Sequence, residues 1–224
     1  MDTEPNKSKS LEYTLGILIL LGSVAAIFIW QEVRMRQRSV GHRYAQAVNN
    51  ARQIGLCLME FDSDYGSYPN DLTSAKVTAN YPAHGCDLTG TSSNSLFRQF
   101  FAAGITQSEQ MFYARTKSSK KTNGDVTPGN VLEAGGENGF SYITNLASKD
   151  DPLTPIILTP LIPGTTTFDP KPLGGKAVML FIDCSVRSYT IAKDGHVYDK
   201  GIDLLSPKHP VWKGKKPDIR YPEL

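Results

Sequence analysis

The chain has 224 residues, 40% of them hydrophobic and 21% charged, with a formal net charge of +2. Its length suggests one main domain with accessory segments, and its composition excludes a disordered or collagen-like chain. A net charge this close to neutral gives no general attraction to nucleic acid, so no nucleic-acid partner is predicted.

An uncharged apolar run begins at Tyr13 and ends at Trp30. As a helix it would cover about 27 Å, which is close to the hydrocarbon thickness of a bilayer. We therefore predict that residues 1–12 are an N-terminal tail and that residues 13–31 are the transmembrane helix of a single-pass membrane protein. A signal peptide cleaved near Ala25 is the alternative, although the apolar run continues beyond that position.

The helical pattern continues after the apolar run. Apolar or small residues recur at alternating steps of four and three, which is typical of a helix with one buried stripe. Gly66 suits a left-handed C-cap, so residues 32–66 are predicted as an extramembrane continuation of the helix. We expect the stripe to pack on the protein's own head, with a dimeric coiled coil as the alternative. The stripe consists of Val40, Tyr44, Ala47, Ala51, Ile54, Leu58 and Phe61.

Residues 67–205 are predicted as an α+β head, since short apolar runs alternate there with Gly, Pro, Ser and Asn. The predicted fold class is α+β: a long N-terminal helix, its first half transmembrane, packed on a small antiparallel β-sheet. Residues 118–139 are expected to be a long loop, and residues 206–224 an extended, proline-containing tail. The expected head helices are 95–103 and 108–114, and the expected strands are 140–146, 155–161, 177–183 and 186–192.

The chain carries no hydrolase, metalloprotease or nucleotide-binding motif, and its four histidines are scattered. A non-enzymatic protein without a cofactor is therefore predicted. A lysine cluster at 117, 120 and 121 is interpreted as a solvated loop, because no aromatic or helical pattern organises it. Cys57 belongs to the predicted helix, which makes Cys86 and Cys184 the natural candidates for a disulfide.

Two local patterns resemble the type IV pilins and the type II secretion pseudopilins. The run from Asn50 to Leu72 looks like the pseudopilin helix end, in which an acidic-Tyr-Gly segment is followed by Tyr-Pro. The run from Phe181 to Arg187 is similar to the F-x-D-G-S-V-R strand motif of pilin-like families, with Cys184 in place of glycine. Since some pseudopilins bind calcium in a loop, the resemblance makes Asp183 and Asp194 weak metal candidates.

The N-terminus departs from the pilin pattern. Family precursors carry a G-F-T-L-I-E signature that is cut after the glycine. The departure argues against processing after residue 12, and it suggests a subunit that need not polymerise. In this degenerate motif Tyr13, Thr14 and Leu15 match F-T-L, whereas Glu12 stands at the glycine position and Ile17 at the glutamate position.

The resemblance implies a membrane-anchored subunit or accessory protein of an envelope secretion or pilus-type assembly, acting through protein–protein contacts. Its partners would be the membrane and pilin-like or secretion-system subunits, including copies of itself. It would lie in the bacterial inner membrane with a periplasmic head, although four arginines between 34 and 43 favour the opposite orientation. The alternative is a membrane-tethered ligand-binding or enzymatic ectodomain that shares only this layout, for which the unmatched residues 82–172 leave room.

Overall fold

The computed structural model describes the backbone of residues 7–223 and the side chains of residues 15 and 24–223. It shows a mixed helix and sheet structure with a five-stranded antiparallel sheet, which confirms the α+β prediction at that level. The chain divides into two units, Met1–Gly41 and His42–Leu224. The helices are α1 (Lys7–Tyr65), α2 (Asp71–Asn80) and α3 (Ser93–Ala102), with short 3-10 helices at Glu109–Phe112 and Pro210–Trp212. The strands are β1 (Ser141–Ile143), β2 (Pro155–Thr159), β3 (Lys176–Phe181), β4 (Val186–Thr190), β5 (Tyr198–Asp199), β6 (Ile202–Asp203) and β7 (Ile219–Arg220).

No helix among the described residues is long and apolar enough to cross a membrane. The predicted transmembrane helix at 13–31 is therefore wrong, and so are the single-pass topology and the inner-membrane localisation based on it.

Helix α1 ends close to the predicted position. Gly66 follows its last residue with φ +77°, and its N–H donates to the carbonyl of Asp62 at 2.8 Å. Glycine adopts a left-handed conformation at little cost in free energy. The C-cap expected at Gly66 is therefore confirmed.

The five-stranded sheet has the order β4-β3-β2-β1-β7 and is covered on both faces. Along β3, Val178 and Leu180 join a core that contains α1 and α3, whereas Met179 and Phe181 join a second core on the other face. This alternation follows from the two-residue period of a strand. The second core was not anticipated from the sequence. It contains Phe168, Val197, Leu204, Leu205 and Trp212, which come from loops and the C-terminal segment.

The C-terminal segment is more ordered than the predicted extended tail. It forms the 3-10 helix and then β7, which pairs with β1 through Tyr142 opposite Arg220. The carboxylate of Glu223 accepts from Arg98 at 3.1 Å and from the hydroxyl of Ser92 at 2.5 Å. These contacts attach the segment to helix α3.

The loop at 118–139 is held by two buried carboxylates. Glu109 accepts the N–H groups of Leu132 at 2.6 Å and Gly124 at 3.1 Å. Glu137 accepts those of Asn123 at 3.2 Å and Glu133 at 3.0 Å. Both glutamates are 1% exposed. They replace the backbone hydrogen bonds that a regular element would have supplied.

Replacing Glu109 by glutamine is expected to destabilise the fold. Glutamine has one side-chain oxygen in place of two, so the N–H group of Leu132 or of Gly124 loses its hydrogen-bond acceptor. The cost is about 1–3 kcal/mol at pH 4. Burial raises the pKa of Glu109 above its ordinary 4.5, so the folded chain holds this proton more tightly than the unfolded chain. Wild-type stability relative to the variant therefore falls as pH rises through the raised pKa. Urea unfolding at pH 4 and pH 7 should show a smaller cost at pH 7.

The control for this comparison is Glu60→Gln, at an exposed position on α1. It is expected to change the free energy of unfolding by less than about 0.5 kcal/mol. If Glu109→Gln lowers the free energy of unfolding more at pH 7 than at pH 4, the pKa of Glu109 is not raised in the folded chain.

Candidate interaction surface

The described residues of α1 before Gly41 expose large apolar side chains to solvent. Phe28 is 66% exposed and Ile29 is 64% exposed. Contiguous exposed apolar residues of this kind mark interaction sites in folded proteins. We call this set the α1 apolar surface, and it consists of Val24, Ile27, Phe28, Ile29, Trp30, Val33 and Met35.

Charged side chains begin at Glu32, two residues after Trp30. The guanidinium of Arg34 lies 4.0 Å from the centre of the Trp30 ring, and Arg36 pairs with Glu32 at 2.7 Å one helical turn away. Such contacts support a helix by a few tenths of a kcal/mol. Charged side chains thus alternate with Val33 and Met35 at the C-terminal end of the α1 apolar surface.

The predicted stripe lies on the side of α1 that packs on the sheet. Ala47, Ala51, Ile54, Leu58 and Phe61 are all at most 1% exposed and share a core with Val178 and Leu180 of β3. Tyr44 packs at the margin of this core, and Val40 is half-buried. Gly55, also on this side, brings helix and sheet together, since a Cβ there would lie 3.1 Å from Leu180.

The degenerate prepilin motif falls largely outside the described side chains. Those of Glu12, Tyr13, Thr14 and Ile17 belong to the part that is not described. Leu15 is 59% exposed. The motif's role therefore stays a prediction.

The two weak metal candidates have local partners. Asp183 pairs with Arg187 at 2.7 Å and accepts the N–H of Ser185 at 2.9 Å. Asp194 accepts the hydroxyl of Tyr198 at 2.6 Å, which lowers its pKa. Within the described part of the chain, no group of three or more His, Cys, Asp or Glu residues could hold a metal ion.

The candidate disulfide is not formed, because all three cysteines are free. Cys86 lies between α2 and α3 and packs against the first core, whereas Cys184 is exposed in the turn between β3 and β4. Burial raises the pKa of both thiols, and it raises that of Cys57 to about 11. Little thiolate is therefore available at neutral pH for bond formation.

The turn that contains Cys184 explains the pilin-like strand motif in physical terms. Cys184 has φ +59°, a left-handed conformation that glycine adopts without strain. Asp183, Ser185 and Arg187, which match the other polar positions of the motif, are hydrogen-bonded to one another. In this chain the residues from Asp183 to Arg187 therefore form a hydrogen-bonded hairpin turn with Cys184 at its left-handed position.

Comparison of the chain with protein-family models, with curated proteins and with solved structures finds no match.

Proposed function

We propose that the protein is a non-enzymatic, pilin-like assembly subunit or accessory protein of a secretion or pilus-type machine. It acts through protein–protein contacts, with the α1 apolar surface packing against the corresponding helices of other subunits. The observation that carries the proposal is the exposure of seven large apolar side chains over residues 24–35. If α1 did not associate with another subunit, each of these side chains would stay in contact with water. Packing against a second helix removes this unfavourable exposure and so lowers the free energy.

The head supports the same proposal. The small-residue stripe of α1 packs on an antiparallel sheet, and Cys184, at the glycine position of the pilin-like pattern, has a left-handed φ of +59°. The segment after the helix is also ordered: Tyr68 is fully buried, and the carbonyl of Pro69 accepts the hydroxyl of Tyr142 at 2.8 Å. The two sequence patterns that resemble pilins are thus structural elements of this head.

The proposal predicts that the double variant Phe28→Ser, Ile29→Ser weakens self-association by about 100-fold or more. This follows because burying each of these side chains is worth about 1.5–3 kcal/mol. Sedimentation velocity over a concentration series measures the effect on the full chain. The wild type is expected to form oligomers at concentrations where the double variant is monomeric.

Leu56→Ser is the matched control, since Leu56 lies on the same helix and is 70% exposed but lies outside the α1 apolar surface. It should associate as the wild type does. A wild type that stays monomeric at every concentration, or a double variant that associates normally, would rule the proposal out.

A further inference from the structure

A cavity with a volume of about 810 Å³ opens on the head. Its lining comes from α1, from the segments on either side of residues 119–137, and from the residues that follow β2. This volume lies within the range of small-molecule and peptide pockets. We call it the basic cavity.

The charges around the basic cavity are strongly unbalanced. Four lining residues are cationic, namely Arg43, Arg115, Lys117 and Lys171, and one, Asp169, is acidic. This local excess of three positive charges is larger than the net charge of +2 on the whole chain. When the residues around a concave site carry mostly one sign of charge, the electric field is concentrated there and attracts ligands of the opposite charge.

The lysines of the basic cavity, Lys117 and Lys171, are not paired with its acidic residue. Asp169 uses one carboxylate oxygen to accept the backbone N–H of Lys171 at 2.9 Å. Neither Lys117 nor Lys171 forms an ion pair with any described residue. Both ammonium groups are therefore available to a ligand.

Much of the remaining lining is apolar, and the polar residues Thr116, Ser118 and Asn138 complete it. Pro160, Leu161, Pro163 and Pro172 line it together with the backbone of Gly139, which is fixed by hydrogen bonds to Phe112 and Thr159. Proline loses little freedom when a ligand binds, so the cavity is largely pre-formed.

We propose that the basic cavity binds an acidic peptide segment of a partner protein, one in which carboxylates adjoin apolar side chains. Carboxylates would pair with the cations, while the neighbouring side chains would cover the proline-rich wall. A single small anion would leave most of the volume unfilled. Among the described residues, no aromatic side chain lines the cavity, so their arrangement offers no stacking platform of the kind on which binding of single-stranded nucleic acid relies.

The test uses the full chain and a fluorescein-labelled hexapeptide of alternating aspartate and leucine, with binding followed by fluorescence anisotropy. Lys117→Glu, Lys171→Glu is expected to weaken binding at least about tenfold. Lys193→Glu, Lys208→Glu is the matched control, because it makes the same charge change at exposed lysines outside the cavity. The control should bind with an affinity within about threefold of the wild type.

Two competitors distinguish the ligand classes. An asparagine–leucine hexapeptide and inorganic phosphate should each fail to displace the labelled peptide at equal concentration. Equal binding by the wild type and the Lys117/Lys171 variant would overturn the proposal. It would also be overturned by displacement with phosphate, or by a single-stranded oligonucleotide that binds the cavity more tightly than the peptide.

This inference is independent of the assembly role. The Phe28/Ile29 variant should retain the wild-type affinity for the peptide, because those residues do not line the cavity. Failure of assembly and failure of peptide binding are therefore separate results.

Discussion

Gly139→Ala is expected to destabilise the head by about 3 kcal/mol or more, because no space exists for a methyl group. A Cβ at this position would lie 2.2 Å from the carbonyl oxygen of Ala114 and 2.7 Å from its nitrogen. Both atoms belong to the backbone, so a rotamer change cannot relieve the clash. Gly139 is itself held by its N–H bond to Phe112 at 2.9 Å and by the hydroxyl of Thr159 at 2.8 Å.

Urea unfolding followed by circular dichroism measures this loss. The matched control is Gly41→Ala, where a Cβ would meet nothing within 4 Å and the backbone is helical. Alanine there is expected to be neutral or to stabilise the helix by about 0.5–1 kcal/mol. A Gly139 variant within about 1 kcal/mol of the wild type would show that the close approach to Ala114 is absent.

Phe97→Ala is expected to cost about 3–5 kcal/mol, the range for deleting a large aromatic side chain from a packed core. Phe97 is 0% exposed and lies at the centre of an aromatic cluster. Its ring centre is 5.1 Å from that of Phe112, 5.4 Å from that of Tyr142 and 6.0 Å from that of Phe100. The three neighbouring rings belong to α3, to the first 3-10 helix and to β1. The cavity that the deletion leaves therefore cannot close through the movement of a single element.

The control for this deletion is Leu72→Ala in α2, where the side chain is 80% exposed. Its effect is expected to be within about 0.5 kcal/mol. Denaturant midpoints compare the two variants directly, provided that the slopes agree with the wild type. A Phe97→Ala cost below about 2 kcal/mol would show that the aromatic cluster can collapse around the deletion.

Features that depend on short stretches of sequence could be predicted. The stripe of α1 follows from helical periodicity, and the glycine after it marks the helix end. Strands β1 to β4 all lie within the predicted runs or one residue beyond them, because those runs are β-branched or aromatic and end at turn residues.

Helix α2 was missed because it buries only Thr73 and Val77 and has no apolar stripe. Its start nevertheless carries a readable signal. Asn70 accepts the N–H groups of residues 72 and 73, while Thr73 accepts the N–H of Asn70, which forms a capping box. The pattern is visible in the sequence as an asparagine followed three residues later by a hydroxyl side chain.

The basic cavity could not be predicted, since its cations come from segments far apart in the chain. Lys117 was interpreted as part of a solvated loop, and only tertiary packing brings it to the same cavity as Lys171. The transmembrane prediction rested on the composition of a window of residues, and it was wrong because no helix among the described residues is long and apolar enough to cross a membrane.

The position of β7 has a consequence for biosynthesis. This strand contributes residues 219–220 to the edge of the sheet, beside β1, which lies about 77 residues earlier in the chain. During translation, β1 therefore emerges with one edge unpaired and stays so until residue 220 is available. Unpaired strand edges are templates for wrong pairing. This edge of β1 therefore stays open to wrong pairing after strands β1 to β4 of the sheet have been made, until residues 219–220 follow.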